Sequence, residues 1–361
     1  MKILHVAIGK APSSGVIRQM EWEQRAAEDL NLQWDVVLFS EEASDSITSL
    51  IPKINPGLFA KVRSWVFRKW FYVKKIIFFS RTYDLILVRY DVMNIFLPLA
   101  PILSKAKIVS VHHTKEREEI SGRKGTFSWL LAGIDQLARA LFIYCSDAII
   151  GVTPEIIDYE KRNPGMKNKP SFLYPNGLYL ESLKPIDERR EGVPKLLFVS
   201  SFFYPWHGLP SLLKSVSQST SIFELNIVGE VPGETIERYS YDQRIIFHGK
   251  THSEKITKIS TTCDLGLASF NLHSSGMKQA CTLKVREYLS QGLPVYSGYQ
   301  DVFPDSMKFY KEGPPDIENI ISHALDMRSH TKEAIRESAF NYIDKKVMVS
   351  SLYSNLENEF R

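Results

Sequence analysis

Cysteine is scarce in this sequence: Cys145, Cys263 and Cys281 are the only three in 361 residues. They stand far apart, with no Cys-x-x-Cys pair or Cys/His ligand spacing around them. That pattern excludes a disulfide framework and a zinc site of ordinary spacing, and it fits a reducing, cytosolic setting. Long apolar runs are also missing. No stretch approaches the ~20 apolar residues of a spanning helix, and the nearest candidate, Met93 to Leu103, is short and holds two prolines. The opening run Met1–Gly9 is too short, and turns polar too early, to read as a secretory signal. Charge of one sign is not in large excess either, since the net charge is only +4. Such a balance does not point to nucleic acid. With 44% hydrophobic and 24% charged residues, the composition is that of an ordinary folded chain.

What the sequence does have is an alternation of short apolar runs and helical segments. Ile3–Ile8, Trp34–Phe39, Leu85–Arg89, Ile108–His112 and Ala148–Val152 read as strands in the first half. Lys195–Val199, Glu224–Val228, Arg244–Phe247, Leu265–Ala268 and Pro294–Tyr296 repeat the pattern in the second. Strands that alternate with helices predict parallel sheets covered on both faces. Two such series predict an α/β chain of two doubly wound, Rossmann-like domains facing across a cleft. The expected boundaries are 1–184 and 185–340, with the linker between Leu183 and Pro194. A final helix, about Lys332–Glu359, closes the chain, and residues 341–361 are expected to pack back on the first domain.

Ligands in such folds bind at the carboxyl ends of the strands. Three loops there carry chemistry. The first, Gly9 to Val16, places Gly15 at a helix start, where backbone N–H groups can approach a phosphate. It lacks the Gly-x-Gly-x-x-Gly pattern, and taken alone it reads rather as a plain strand-to-helix turn. The second, Phe198 to Leu209, holds Ser201 and His207, with hydroxyl and imidazole groups able to hold an anion. The third, Met277 to Val295, runs from loop to helix to strand, with Gly292 as the helix stop. A helix starting near Thr282 aims free N–H groups at an anion, and Glu287 in its second turn suits a ribose diol. The alternative for this stretch is a charged helix with Arg286 and Glu287 in solvent.

Taken together, these segments resemble the retaining nucleotide-sugar glycosyltransferases of family 4, which have the GT-B fold. The most specific stretch is Leu283-Lys284-Val285-Arg286-Glu287-Tyr288-Leu289 with Gly292-Leu293-Pro294-Val295. Tyr174-Pro175-Asn176-Gly177, Leu225 to Gly229, and Ser146 to Thr153 support it. The resemblance implies that Glu287 holds the donor ribose. It also implies a second acid eight residues earlier, where this chain has Gln279. Family members neutralise the donor diphosphate with an Arg and a Lys where this chain has Ser201 and His207. Losing two preorganised cations could cost several kcal/mol of transition-state stabilisation unless others substitute. Lys284 is the best substitute, with Lys278 and a protonated His207 behind it. By the same resemblance Thr282, Leu283 and Gly229 line the donor, Gly249-Lys250-Thr251 border the base, and His113 (or His112) contacts the donor sugar.

One stretch escapes the average charge. Ser46 to Tyr83 contains no Asp or Glu but eight Lys and Arg, leaving −4 for the rest. Phe59, Val62, Val66, Trp70, Val73 and Ile77 recur at helical spacing, with Lys61, Arg68 and Lys75 opposite. A basic helix rich in Trp and Phe suits an anionic lipid interface. The expected membrane contacts within this segment, 53–81, are Lys61, Arg68, Lys69, Trp70 and Lys75.

The expectation is therefore a retaining hexosyl- or N-acetylhexosaminyltransferase, peripheral on the cytoplasmic face of a bacterial membrane. It would use a UDP- or GDP-sugar as substrate, with no cofactor, no metal and no nucleic acid. The acceptor would be a lipid-linked or other glycan in surface polysaccharide synthesis. The alternative is a degenerate glycosyltransferase-like scaffold, which the losses at Gln279, Ser201 and His207 would fit. An epimerase of the same fold is not separated by spacing alone.

Overall fold

The computed structural model describes residues 1–9, 12–41, 47–51, 60–115, 128–181 and 192–361, with the side chains of 60, 61 and 128–130 left out. Contacts divide the chain into two units, Met1–Tyr179 with Lys345–Arg361, and Leu180–Asp344. The 184/185 position and most of the expected linker lie outside the described residues.

The first unit is built on a seven-stranded parallel sheet. Its strands are β1 (Ile3–Gly9), β2 (Trp34–Ser40), β3 (Thr48–Leu50), β4 (Leu85–Arg89), β5 (Lys107–His112), β6 (Ala148–Gly151) and β7 (Ser171–Leu173), in the order β3-β2-β1-β4-β5-β6-β7. Strands buried on both faces read as continuous apolar runs rather than alternating ones. Leu85, Ile86, Leu87 and Val88 of β4 are all fully buried, which is why this central strand is legible from sequence. One face is covered by helices Ser14–Asp29 and Lys345–Phe360. The other is covered by helices Ala60–Phe79, Leu99–Leu103 and Ser128–Cys145.

The second unit has a six-stranded parallel sheet. Its strands are β8 (Lys195–Phe202), β9 (Glu224–Glu230), β10 (Ile245–Gly249), β11 (Leu265–Leu267), β12 (Val295–Ser297) and β13 (Tyr310–Glu312), in the order β10-β9-β8-β11-β12-β13. Helices Leu209–Gln218 and Ile317–Asp326 pack on one face, and helices Leu283–Ser290 and Lys332–Ile343 on the other.

Two expectations need correction. The final helix is not continuous. Asp344 is fully buried in extended backbone (φ −77°, ψ 126°), and Lys345 N donates to Leu178 O at 2.8 Å. The chain therefore leaves the second unit and restarts as a helix of the first, where Val349, Leu352 and Leu356 are buried.

The basic helix Ala60–Phe79 also fails to keep its apolar stripe on one side, although Trp70, an expected contact, is exposed. It buries Lys69, Tyr72, Val73 and Ile76, and leaves Val62, Val66 and Trp70 exposed. The cause is polar. Lys69 Nζ, on a residue only 5% exposed, bonds Asp91 Oδ1 at 2.5 Å and Val92 O at 2.6 Å, while Tyr72 OH donates to Val6 O. Lys69 is thus a core anchor and not a membrane-facing cation. Arg68 is likewise engaged, by Glu41 at 2.8 Å. Lys75 lies over Phe71 and Phe78. The side chain of Lys61 lies outside the described residues.

Gly292 ends helix Leu283–Ser290 with φ +68°, and a Cβ there would sit 2.4 Å from the Lys332 carbonyl oxygen. A left-handed Ala alone costs roughly 1–2 kcal/mol. Gly292→Ala should therefore lower the thermal midpoint of the second unit by several degrees, and an unchanged midpoint in calorimetry would refute this role for Gly292.

Candidate functional site

All strands of the second sheet are parallel, so their carboxyl ends share one edge. That edge gathers the sequence-predicted residues. Ser201 closes β8 and is exposed, Gly229 lies near the end of β9, and Gly249 ends β10 with exposed Lys250 and half-buried Thr251 behind it. Gly229 has φ +130°, and a Cβ would fall 1.6 Å from Ser200 O, so the ends of β8 and β9 touch through bare backbone. Backbone bonds then tie the loops together: Phe270 N to His207 O (3.0 Å), Gly298 N to Ser269 O (3.0 Å), and Ala280 N to Gln300 O (3.1 Å).

Helix Leu283–Ser290 brings its N-terminus to these loops. Thr282 is the N-cap residue, but its hydroxyl bonds Tyr299 OH at 2.8 Å instead of capping the helix. The first N–H groups of this helix therefore have no side-chain cap. Gln279 Nε2 bonds Gln300 Oε1 at 2.9 Å, so the position expected for an acid holds a loop bridge. Lys278 is exposed one residue earlier, Leu283 is half-buried at the first helical position, and Glu287 is half-buried one turn on.

Lys284 is the decisive side chain. Its Nζ is buried, makes no hydrogen bond, and lies 5.6 Å from the centre of the Phe198 ring of β8. Burial pushes the ammonium down to about 8, an effect that the nearby Glu287 carboxylate partly offsets. His207 is also near. It is 8% exposed, its Nδ1 accepts from Tyr204 N at 3.0 Å, and its Nε2 lies 3.3 Å from Ser200 Oγ. Burial first, and then the Lys284 charge, push His207 down to about 3. A backbone N–H on Nδ1 leaves Nε2 as the N–H donor toward Ser200. His207 is therefore neutral near pH 7 and cannot serve as the replacement cation considered from sequence.

Two positioning features were missed in the sequence. Arg286, expected in solvent on one reading, is fully buried and makes two 2.5 Å hydrogen bonds to the equally buried Asp301. Tyr288 OH accepts from Val199 N at 2.9 Å, and Gly266 makes room for its ring. Both partners lie far along the chain, so no local spacing marks them.

The first unit has a carboxyl edge of its own. Gly15 lies in the first turn of helix Ser14–Asp29, whose N-cap Ser13 accepts from Val16 N at 3.4 Å. His112 is fully buried, stacked 5.5 Å from Tyr90, with Nδ1 3.6 Å from Glu160. His113, just past β5, is half-buried, its Nε2 has no partner, and burial pushes it well below the usual imidazole range. Of the two histidines, only His113 is partly exposed, and its Nε2 is buried.

No family model matches this sequence, and no curated protein matches it. Among solved structures, the chain is similar to the lipopolysaccharide outer core galactosyltransferase WaaB in its apo form, at 12% identity and TM-score 0.68, over 99% of this chain and 100% of that one. It is similar to a glycosyltransferase from Rickettsia africae at 14% identity and TM-score 0.66, over 99% of this chain and 98% of that one. HepE from Anabaena, in complex with UDP and glucose, matches at 14% identity and TM-score 0.65, over 99% and 100%. The fold is GT-B, with two Rossmann-like domains. Among the described residues no helix is long and apolar enough to cross a membrane.

The Lys284 ammonium yields a direct prediction. Its folded value of about 8 lies below the unfolded one of about 10.5. The unfolded chain therefore holds this proton more tightly, and burial costs on the order of 3 kcal/mol below pH 8. That cost fades between pH 8 and about 10.5, as the folded lysine gives up its proton. Lys284→Met should melt higher than the parent at pH 7, with the gap closing toward pH 10. A gap independent of pH in thermal melts would show that Lys284 is not a buried cation.

Proposed function

We propose that the chain is a retaining glycosyltransferase that moves a hexosyl or N-acetylhexosaminyl group from a nucleotide sugar to a glycan acceptor. The observation that carries this reading is the buried, unpartnered Lys284 ammonium beside an uncapped helix N-terminus at the carboxyl edge of the second sheet. An unpaired buried cation is costly and is relieved by an anion. A nucleoside diphosphate supplies one, with helix N–H groups as further donors. That HepE is in complex with UDP and glucose on this fold supports the same ligand class here. Lys284 takes the diphosphate-neutralising role for which this chain has no Arg or Lys at Ser201 and His207. Glu287 holds the ribose, with Lys278 at the rim.

In this mechanism the bond between the anomeric carbon and the diphosphate oxygen breaks while the acceptor hydroxyl oxygen bonds the same carbon from the same face. The hydroxyl proton passes to the departing phosphate. The protein's contribution is charge stabilisation of that leaving group. His113, neutral and with an unpartnered Nε2, suits a neutral sugar hydroxyl. No metal or cofactor is part of this reading. The acceptor is proposed to be lipid-linked, in bacterial surface polysaccharide synthesis, with the protein peripheral on the inner face of the cytoplasmic membrane.

A screen of nucleotide sugars, read by released nucleotide, tests the activity. With the active donor, Glu287→Ala should raise KM about tenfold or more, and Lys284→Ala should lower kcat by about 10²-fold or more. Full turnover in Lys284→Ala would remove the diphosphate assignment. No turnover and no binding of any nucleoside diphosphate would instead favour the scaffold reading. Binding at pH 8 should also take up a proton, because a diphosphate raises the Lys284 value. Calorimetry in buffers of different ionisation enthalpy measures that uptake, and no buffer dependence would count against contact with Lys284.

A further inference from the structure

Helix Ser128–Cys145 is apolar on both sides: inward, Ala132, Ala138, Phe142 and Ile143 are buried. Its inward side carries Asp135, fully buried and bonded by Tyr90 OH at 2.8 Å and Met93 N at 2.5 Å, and Arg139, 1% exposed and paired with Glu160. Its outward side carries Ile134, Leu137, Leu141 and Tyr144, between 41% and 64% exposed. A solvated helix would carry polar residues on its outward side.

Its neighbours continue the same outward face. Helix Leu99–Leu103 packs against both Ser128–Cys145 and Ala60–Phe79, and exposes Ile102 and Leu103. Helix Ala60–Phe79 exposes Trp70, Lys74 and Phe78 on one stripe, and Trp70 meets Phe96 edge-on at 5.7 Å. All three helices bury their other sides in one core on one sheet face, so their exposed sides point the same way. Along the last helix a groove of about 550 Å³ runs between Phe67, Trp70, Phe71, Lys74, Lys75 and Phe78.

Apolar patches of this kind mark docking surfaces, and charge selects the occupant. None of the described side chains on these helices exposes a carboxylate: two of the helices contain no Asp or Glu, and Asp135 is buried. Arg63 and Lys74 are exposed, and Lys75 lies over Phe71 and Phe78 with its ammonium 5.4 and 5.9 Å from the ring centres. Cations interleaved with Trp and Phe, beside an aliphatic bed, match a layer of anionic headgroups above acyl chains.

We propose that this three-helix face beds onto an anionic lipid bilayer, with Trp70 and Phe78 at the headgroup level, Lys74 and Lys75 on lipid phosphates, and the Leu137–Leu141 row against acyl chains. The proposal deepens the peripheral placement above. Its failure would leave the donor-site reading standing, because the experiment reads lipid binding alone.

The test is co-sedimentation of the full chain with vesicles of phosphatidylcholine, with and without phosphatidylglycerol. Lys74→Gln with Lys75→Gln should weaken binding to phosphatidylglycerol vesicles about twentyfold, at about fivefold per cation. Ile102→Ser with Leu137→Ser, both at exposed positions, should weaken it about tenfold or more, through loss of buried apolar area. Circular dichroism melts check that both variants fold. Three results would overturn the proposal: a parent that ignores phosphatidylglycerol, a folded Ile102→Ser/Leu137→Ser variant that binds like the parent, or a parent dimer that this variant converts to monomer.

Discussion

The buried pair Arg286–Asp301 is the interaction on which the second unit's working edge depends. It fastens helix Leu283–Ser290 to the loop after β12, with neither partner exposed. Removing one partner of such a pair typically costs 3–5 kcal/mol, because the other is left as an uncompensated buried charge. Around it the loops add shorter ties: Thr282 to Tyr299, Gln279 to Gln300, and Tyr288 to the backbone of β8. The helix N-terminus is consequently held from three directions before any ligand arrives. Preorganisation of this sort lets a few N–H groups and one ammonium act on a developing charge without reorganising.

Two basic side chains share that edge in opposite states. His207 is locked neutral by burial, by the Tyr204 N–H on its Nδ1 and by the charge of Lys284. Lys284 carries the cost of an unpaired cation. The two positions where the resemblance implies cations hold Ser201 and a neutral His207, and Lys284 lies near His207. The balance of Lys284 between charged and neutral forms lies near physiological pH, so an anion bound there would favour protonation.

The fold was legible where local pattern and burial agree. Continuous apolar runs such as Leu85–Val88 mark central parallel strands, and Thr153-Pro154 marks a helix start, with Thr153 capping Ile156 N. The edge strands β3, β7 and β13 are three residues each and carry little apolar signal. The carboxyl-edge loops of the second sheet were legible too, because glycines and the Leu283–Leu289 pattern sit in them. What sequence could not show was who meets whom over long separations. Asp301 reads as one loop acid among many until Arg286 reaches it. Lys69 reads as a surface cation until Asp91 meets it in the core. The outward row of helix Ser128–Cys145 escaped notice because apolar periodicity is normally taken to face inward.

The interruption at Asp344 has a consequence for how the protein is made. The chain leaves the first unit after Tyr179, builds the second, and returns to the first at Lys345. Helix Lys345–Phe360 covers apolar residues of β1 and β2 and of helix Ser14–Asp29. During synthesis the second unit has its full set of contacts before the first does. Until Lys345–Phe360 emerges, the earlier unit keeps an uncovered apolar face. The amino-terminal unit is therefore completed after the unit that follows it in the chain.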